Sequence, residues 1–341
     1  MGESEVRVVI LAGPNGSGKT SLIEDLVALG GLTEQIINPD EVRKSPQIAA
    51  LALADPNADL DRAAQKLAYQ RRQALIDAKQ PFAFETVMSH PSRLVELQQL
   101  RDQGYFVFLT FIATNSPDIN VKRVQQRVET NTTTGHDVPE KSIRERYHRT
   151  LNLLPAAIEL ADRAVLYDNS YSDQARTEQA NISRENLAKT GAYDVSMVEA
   201  PERWVTSAID RLDDRATQRS MCVQIAENLA AAVELANPVD GVYSGTLVQL
   251  TEDYFGLVNK DGDRTVITVH DRLMLVPATQ DTLQERLANT DRAHTEIVYR
   301  PNTAPEIRDP AQSVPTITPR PAADPGEEPA VALPRPTGPR P

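Results

Sequence analysis

Over the first half of the chain, short apolar runs alternate with longer stretches of helical periodicity. VRVVILA, QII, PFAFE, YFVFLTFIA and AVLYD fall between Val6 and about Ser170, and the segments between them are long enough for helices. Near-continuous apolar strands joined in this way are buried on both faces, so the rhythm predicts an α/β fold with a parallel sheet flanked by helices. Ser116-Pro117 ahead of DINVKRVQQRV reads as a helix start, serine capping and proline in the first turn. Ile143, Tyr147, Leu151 and Leu154 share one helical face, which makes Tyr147 a core residue.

The second half changes character. ERWVTSAIDRL and CVQIAENLAAAVELA, between Glu199 and Ala236, have helical spacing, and Asn237-Pro238 stops it. GVYSGTLVQL, YFGLVN, RTVITVH and TEIVYR are β-branched and aromatic, with Asp-Gly turns at 240–241 and 261–262, and predict a small antiparallel β domain. Half of the 24 prolines lie after Arg300, which predicts a disordered tail. The expected division is an α/β domain over 1–190, a helical linker over 191–238, a small β domain over 239–300 and a Pro-rich tail over 301–341.

Composition narrows the function classes. With 40% apolar and 25% charged residues the chain is an ordinary globular one, and its net charge of −12 argues against a broad surface for nucleic acid or anionic membrane. Cys222 is the single cysteine, so no internal disulfide forms and a reducing, cytoplasmic location is expected. The opening residues lack the pattern of a cleaved leader, and no apolar run approaches a bilayer span.

The strongest motif is GPNGSGKTS, which comprises Gly13, Pro14, Asn15, Gly16, Ser17, Gly18, Lys19, Thr20 and Ser21. It fits G-x-x-x-x-G-K-[ST] between a strand pattern and a helical one, the context in which that spacing makes a phosphate-binding loop. Its glycines let backbone N–H groups turn inward on a phosphate, Lys19 reaches the outer phosphate oxygens, and Thr20 is the expected magnesium ligand. ATP with Mg2+ is the expected donor.

The acceptor has to be sought downstream. INPDEVRK places Asp40 after the second strand, where a carboxylate either takes a proton from an acceptor hydroxyl or merely caps a helix. PFAFETV ends in Glu85 and Thr86; the acid either orients magnesium and its waters or is a solvated strand end. Around a threonine-rich loop stand Arg123, Arg127, Arg144, Arg146 and Arg149. Such arginines supply the cationic lid that phosphoryl transfer needs, or line a solvated helix face. In GHDVPE, Asp137 and Glu140 have capping-box spacing with Pro139 in the first turn, and His136 is either an exposed loop residue or one that swings over the phosphates.

GPNGSGKT, INPDEVRK, FAFETVMSH, GHDVPEKSIRERYHR and VLYDNS, in this order, resemble the zeta toxin family, P-loop kinases that include UDP-N-acetylglucosamine kinases. The resemblance covers about residues 5–170. It implies an ATP-dependent kinase acting on a hydroxyl of a nucleotide-linked metabolite, UDP-N-acetylglucosamine first, with NAD or another nucleotide or sugar as alternative. It further implies a toxin restrained by an antitoxin protein. Carried over by position, it makes Lys19 and Thr20 the phosphate and magnesium contacts and Asp40 the proton acceptor. Glu85, Thr86 and His136 become acceptor-side residues, and Arg127 with Arg144 or Arg146 the lid charge. VYSGTLVQLTEDYFGLV followed by VHDRLML resembles a small KfrB-type domain, which implies a partner-binding module. Outside the resemblance, the rival class is a nucleotide switch in which the loop gates that module.

Overall fold

The computed structural model describes residues 6–55, 57–130, 138–289, 294–301 and 303–309. The Pro-rich segment from 310 onward and His136 lie outside them. The chain separates into two compact units, residues 1–184 with 194–210, and residues 185–193 with 211–341. The chain thus passes between the units at three places, at 184–185, 193–194 and 210–211.

In the first unit, β1 (Arg7–Ala12) leads into α1 (Lys19–Ala28), β2 (Gln35–Ile37), α2 (Pro39–Arg43), α3 (Pro46–Ala54) and α4 (Leu60–Asp77). β3 (Phe82–Thr86), α5 (Ser92–Asp102), β4 (Phe106–Ala113), α6 (Pro117–Glu129), α7 (Glu140–Leu160), β5 (Arg163–Asp168) and β6 (Thr177–Ser183) follow. α8 (Leu187–Thr190) belongs to the second unit, and β7 (Asp194–Met197) returns to the first. The strand order is β2-β3-β1-β4-β5-β6-β7, parallel from β2 to β5. β1 therefore lies between two parallel neighbours, and Val8, Ile10 and Ala12 are fully buried. The five strands of the apolar runs are parallel, as the pattern predicts, and β6 and β7, which lie beyond those runs, are added antiparallel. The connection from Asp168 to Thr177 is too short for a crossover helix.

α9 (Arg203–Asn228) contributes residues as far as Asp210 to the first unit and those from Arg211 to the second. Trp204, at its start, tilts against Phe111 with ring centroids 5.8 Å apart. The expected helical linker is corrected here. Residues 191–238 carry β7, α9 and β8 (Ala231–Leu235), so AAVEL is a strand and not the end of a helix. Ala230 at φ 49° turns the chain out of the helix, and β8 then pairs in parallel with a neighbouring strand rich in β-branched residues.

That neighbour is β11 (Arg264–Asp271), preceded by β9 (Gly241–Gln249) and β10 (Tyr254–Asp261) and followed by α10 (Pro277–Leu287), β12 (His294–Tyr299) and β13 (Glu306–Arg308). The order is β13-β12-β9-β10-β11-β8, antiparallel throughout except for β8. Alternation along β10 feeds two cores: Phe255 and Leu257 pack with Leu283 of α10, while Tyr254 and Val258 pack with Cys222 and Ala226 of α9. Among the described residues no helix is long and apolar enough to cross a membrane.

Candidate active site

The phosphate-binding loop leaves the end of the central strand β1 and runs into α1, whose Leu22 and Ile23 are buried and fix its start. Gly16 and Gly18 have φ of 77° and 98°. A Cβ on Gly16 would stand 2.6 Å from the Asn120 carbonyl, and one on Gly18 would stand 2.3 Å from Asn169 Nδ2. Both positions therefore need glycine for conformation and for space. Lys19, 7% exposed, donates from Nζ to the carbonyls of Gly13 at 2.9 Å and Pro14 at 3.0 Å. Ser17 Oγ and Asn15 Oδ1 are buried without a hydrogen-bond partner among the described residues, and Thr20 and Ser21 are exposed beside them. Buried orphan polar atoms in a glycine loop at a helix start fit a phosphate group, and the exposed Thr20 hydroxyl fits a magnesium ligand.

Across the loop, Glu85 closes β3. Its Oε1 lies 3.7 Å from Lys19 Nζ, and its Oε2 accepts from Asn38 Nδ2 at 3.1 Å. The strand end is thus held on two sides and is not a solvated carboxylate. Asn38 also caps α2 by accepting from the Asp40 N–H at 2.8 Å. The helix is capped by Asn38, which leaves the exposed Asp40 carboxylate without that duty. The Lys19 ammonium is held below its usual range, chiefly by desolvation. The Glu85 carboxylate opposes that shift, Arg127 adds to it, and Asp40 opposes it more weakly. The charges of Glu85, Arg127 and Asp40 therefore all reach one buried nitrogen.

Thr86 turns its hydroxyl to local work, accepting from Met88 N–H at 3.1 Å, while its carbonyl accepts from Gly13 N–H at 3.3 Å. Met88 is held at φ 53°, a left-handed conformation uncommon for such a side chain. From α7, Thr150 donates to the Val87 carbonyl at 2.9 Å and Tyr147 donates to the Thr114 carbonyl at 2.6 Å. Burial pushes the Tyr147 hydroxyl up to about 12. This residue belongs to the core, where the helical pattern put it.

The arginines divide. Arg127 is half-buried, and its Nε has no hydrogen-bond partner among the described residues. Arg123 donates to the Asn169 carbonyl at 2.7 Å. Arg144 is tied to Asp118 at 2.6 Å and to Glu140 at 2.8 Å, and these hydrogen bonds raise its pKa further. It braces α6 against α7. Arg146 is half-buried, and Arg149 sits 3.8 Å from Glu145. α7 begins at Glu140 with Pro139 at its cap, one position earlier than the expected first turn, and Asp137 lies outside the described residues.

Four asparagines and threonines with roles here escape the motif reading. Asn38 holds Glu85, Asn120 donates from Nδ2 to the Asn15 carbonyl at 2.6 Å, Thr114 bonds Asn120 Oδ1, and Asn169 donates from Nδ2 to the Ser17 carbonyl at 2.8 Å. A signal existed for Asn120: it is a polar residue next to Val121 on the apolar stripe of α6. Behind Asn169, the buried Asp168 accepts from Ser170 Oγ at 2.7 Å and from Trp204 Nε1 at 3.0 Å.

A family model described as Zeta toxin matches residues 3–176, half of the chain. An uncharacterized protein of Haemophilus influenzae is 27% identical over 146 residues, covering 41% of this chain and 92% of that protein. Among solved structures, the PezAT chromosomal toxin-antitoxin system of Streptococcus pneumoniae shares 16% identity at a TM-score of 0.39, over 63% of this chain and 88% of that one. AvrRxo1-ORF1:-ORF2 with ATP gives 16% and 0.39 over 56% of this chain, which spans 61% of that one.

Proposed function

The chain belongs to the Zeta toxin family, and from that premise we propose that this nucleotide-binding kinase uses ATP with magnesium to phosphorylate a hydroxyl of a nucleotide-linked metabolite. UDP-N-acetylglucosamine is the first candidate acceptor, and the protein acts as a toxin restrained by an antitoxin partner. The observation that carries this reading is the buried Lys19 ammonium, 2.9 Å and 3.0 Å from two loop carbonyls and facing Glu85 at 3.7 Å.

Each residue has a task. The Gly13–Thr20 loop and Lys19 bind the donor phosphates, and Thr20 would ligate magnesium, which neutralises phosphate charge when bound. Asp40 accepts the proton of the acceptor hydroxyl as its oxygen bonds to the phosphorus and the nucleoside diphosphate leaves. Glu85, held by Asn38, would orient magnesium and its waters on the acceptor side, and Thr86 shapes the loop beneath it. Arg127 and Arg146 carry the lid charge. Arg144 is occupied by its two carboxylates.

The test uses labelled ATP and pooled bacterial metabolites, with mass spectrometry of the products. A new phosphorylated metabolite is expected. Release of free phosphate alone would instead favour the nucleotide switch, and a product on NAD would move the acceptor within the same reaction class. Asp40→Asn should keep ATP binding and lose turnover about 10²-fold or more; unchanged turnover would remove Asp40 from the mechanism.

A further inference from the structure

We propose that Asn120 and Asn169 are a pair of positioning residues that aim the backbone N–H groups of the phosphate-binding loop; the assignment rests on the nucleotide-binding reading of that loop.

The two asparagines come from different elements and do the same thing on two loop peptides separated by one. Asn120, fully buried on α6, donates from Nδ2 to the Asn15 carbonyl at 2.6 Å. Asn169, just after β5, donates from Nδ2 to the Ser17 carbonyl at 2.8 Å. No peptide bond among the described residues is cis. In a trans peptide the C=O of one residue and the N–H of the next point in opposite directions within one plane. Holding the Asn15 carbonyl therefore directs the Gly16 N–H the other way, and holding the Ser17 carbonyl does the same for the Gly18 N–H. Each asparagine also lies against the glycine whose N–H it aims: the Asn120 backbone is where a Gly16 Cβ would go, and the Asn169 carboxamide is where a Gly18 Cβ would go. Phosphate loops work by convergent N–H groups, and a glycine-rich segment has the most conformational freedom to lose in setting them.

Both asparagines are themselves held, Asn120 at its carboxamide and Asn169 at its backbone. Thr114 bonds Asn120 Oδ1, and the Thr114 carbonyl accepts from Tyr147 of α7 at 2.6 Å. Asn169 donates its backbone N–H to the Ala113 carbonyl at 2.9 Å, and its own carbonyl accepts from Arg123 at 2.7 Å. Asp168 and Ser170 on either side are fixed by Trp204 and by each other. The loop is thus preorganised by the ends of β4 and β5, and the cost of ordering it is met in folding instead of in binding.

The test is the affinity of the full-length protein for ATP, by calorimetry and by displacement of a fluorescent ATP analogue, with thermal melts alongside. Asn169→Ala should weaken ATP about five- to tenfold, the size of one lost hydrogen bond. In turnover, the loss should fall on the KM for ATP and not on the KM for the acceptor. Asn120→Ala should do the same. The double variant should be within about threefold of the weaker single variant, because either loss already frees one loop. If Asn120→Ala fails to fold, Asn169→Ala decides, since that residue is only half-buried. ATP affinity within twofold of wild type in Asn169→Ala overturns the proposal. So does a loss of kcat and of both KM values in step with a lowered melting point, which is the mark of a general structural role. A wild-type protein that binds ATP and phosphorylates nothing would remove the phosphotransfer reading and leave this pair standing, because the binding assay needs no acceptor.

Discussion

Lys19 in the seven-stranded unit and Arg215 in the six-stranded unit are both buried cations, 7% and 0% exposed. Arg215 reaches Asp253 at 3.1 Å and Asp271 at 2.6 Å and lies over the Tyr254 ring at 5.3 Å. Arg211 also donates to the Asp253 carboxylate at 3.2 Å, and the Asp253 N–H donates to Gln218 Oε1 at 2.8 Å. Lys19 has two neutral carbonyls and one carboxylate at 3.7 Å, with Arg127 adding positive field. A buried charge is compensated when its counter-charges lie within hydrogen-bond distance, as at Arg215. At Lys19, desolvation outweighs the partners, which is why its pKa falls. One arrangement is closed and serves architecture. The other is left under-neutralised beside a loop of orphan polar atoms, and the proposed donor phosphates would supply the missing charge.

Breaking the open arrangement should have the largest effect on chemistry and little on stability. Lys19→Ala is expected to lower kcat/KM for phosphotransfer by about 10³-fold or more, as for other groups that meet transition-state charge. Its unfolding free energy should stay within about 1 kcal/mol of wild type, since the variant removes a poorly compensated charge. Urea unfolding followed by the fluorescence of Trp204, the sole tryptophan, reads the unit that holds Lys19. A drop in stability large enough to explain the lost activity would erase the contrast.

Breaking the closed arrangement should do the reverse. Arg215→Ala takes one of two arginine partners from the buried Asp253 and one from Asp271, and should cost about 3–5 kcal/mol. Far-UV circular dichroism in urea would show it as an earlier transition, while phosphotransfer per folded molecule stays within a few-fold. Stability within about 1 kcal/mol of wild type would mean that the buried pair is no better than a surface one.

The sequence announced these two cations very unequally. Lys19 was legible because phosphate binding imposes a fixed local spacing of glycines, and a local constraint leaves a local trace. Arg215 left none: its partners are 38 and 56 residues further along, and an arginine in RLDDRATQR reads as part of a solvated helix. The same division runs through the site. Glu85 and Asp40 stood at strand and helix boundaries where chemistry could be suspected, whereas Asn120 and Asn169 act on the loop from 105 and 152 residues away. In the fold, the central strands were legible from their apolar runs. AAVEL was not, because alanine, glutamate and leucine favour helix, and only its register with Thr265–Val269 makes it a strand.

A third buried nitrogen sharpens the comparison, with burial and no counter-charge among the described residues setting its state. His270 is 1% exposed, stacks on Phe255 at 4.9 Å and shares a hydrogen bond at 2.9 Å between Nδ1 and the Tyr299 hydroxyl. Its Nε2 has no hydrogen-bond partner among the described residues. Burial alone pushes its pKa down from 6.5 to about 3. Folding therefore keeps the ring neutral at pH values where the unfolded chain would protonate it. Between about pH 6.5 and 3 the unfolded state binds the extra proton, so stability falls as the pH falls, by at most about 1.4 kcal/mol per pH unit. Above pH 6.5 this group contributes no slope. Carboxylates titrate in part of the same window, so the readout is the difference between wild type and His270→Phe, which keeps a ring in the stack. Unfolding free energies from urea titrations followed by circular dichroism at pH 7 and pH 5 should differ less in the variant than in wild type, by roughly 1–2 kcal/mol. Parallel pH dependences in the two proteins would show that the ring is charged or solvated in the folded unit, and that burial there does not hold a base neutral.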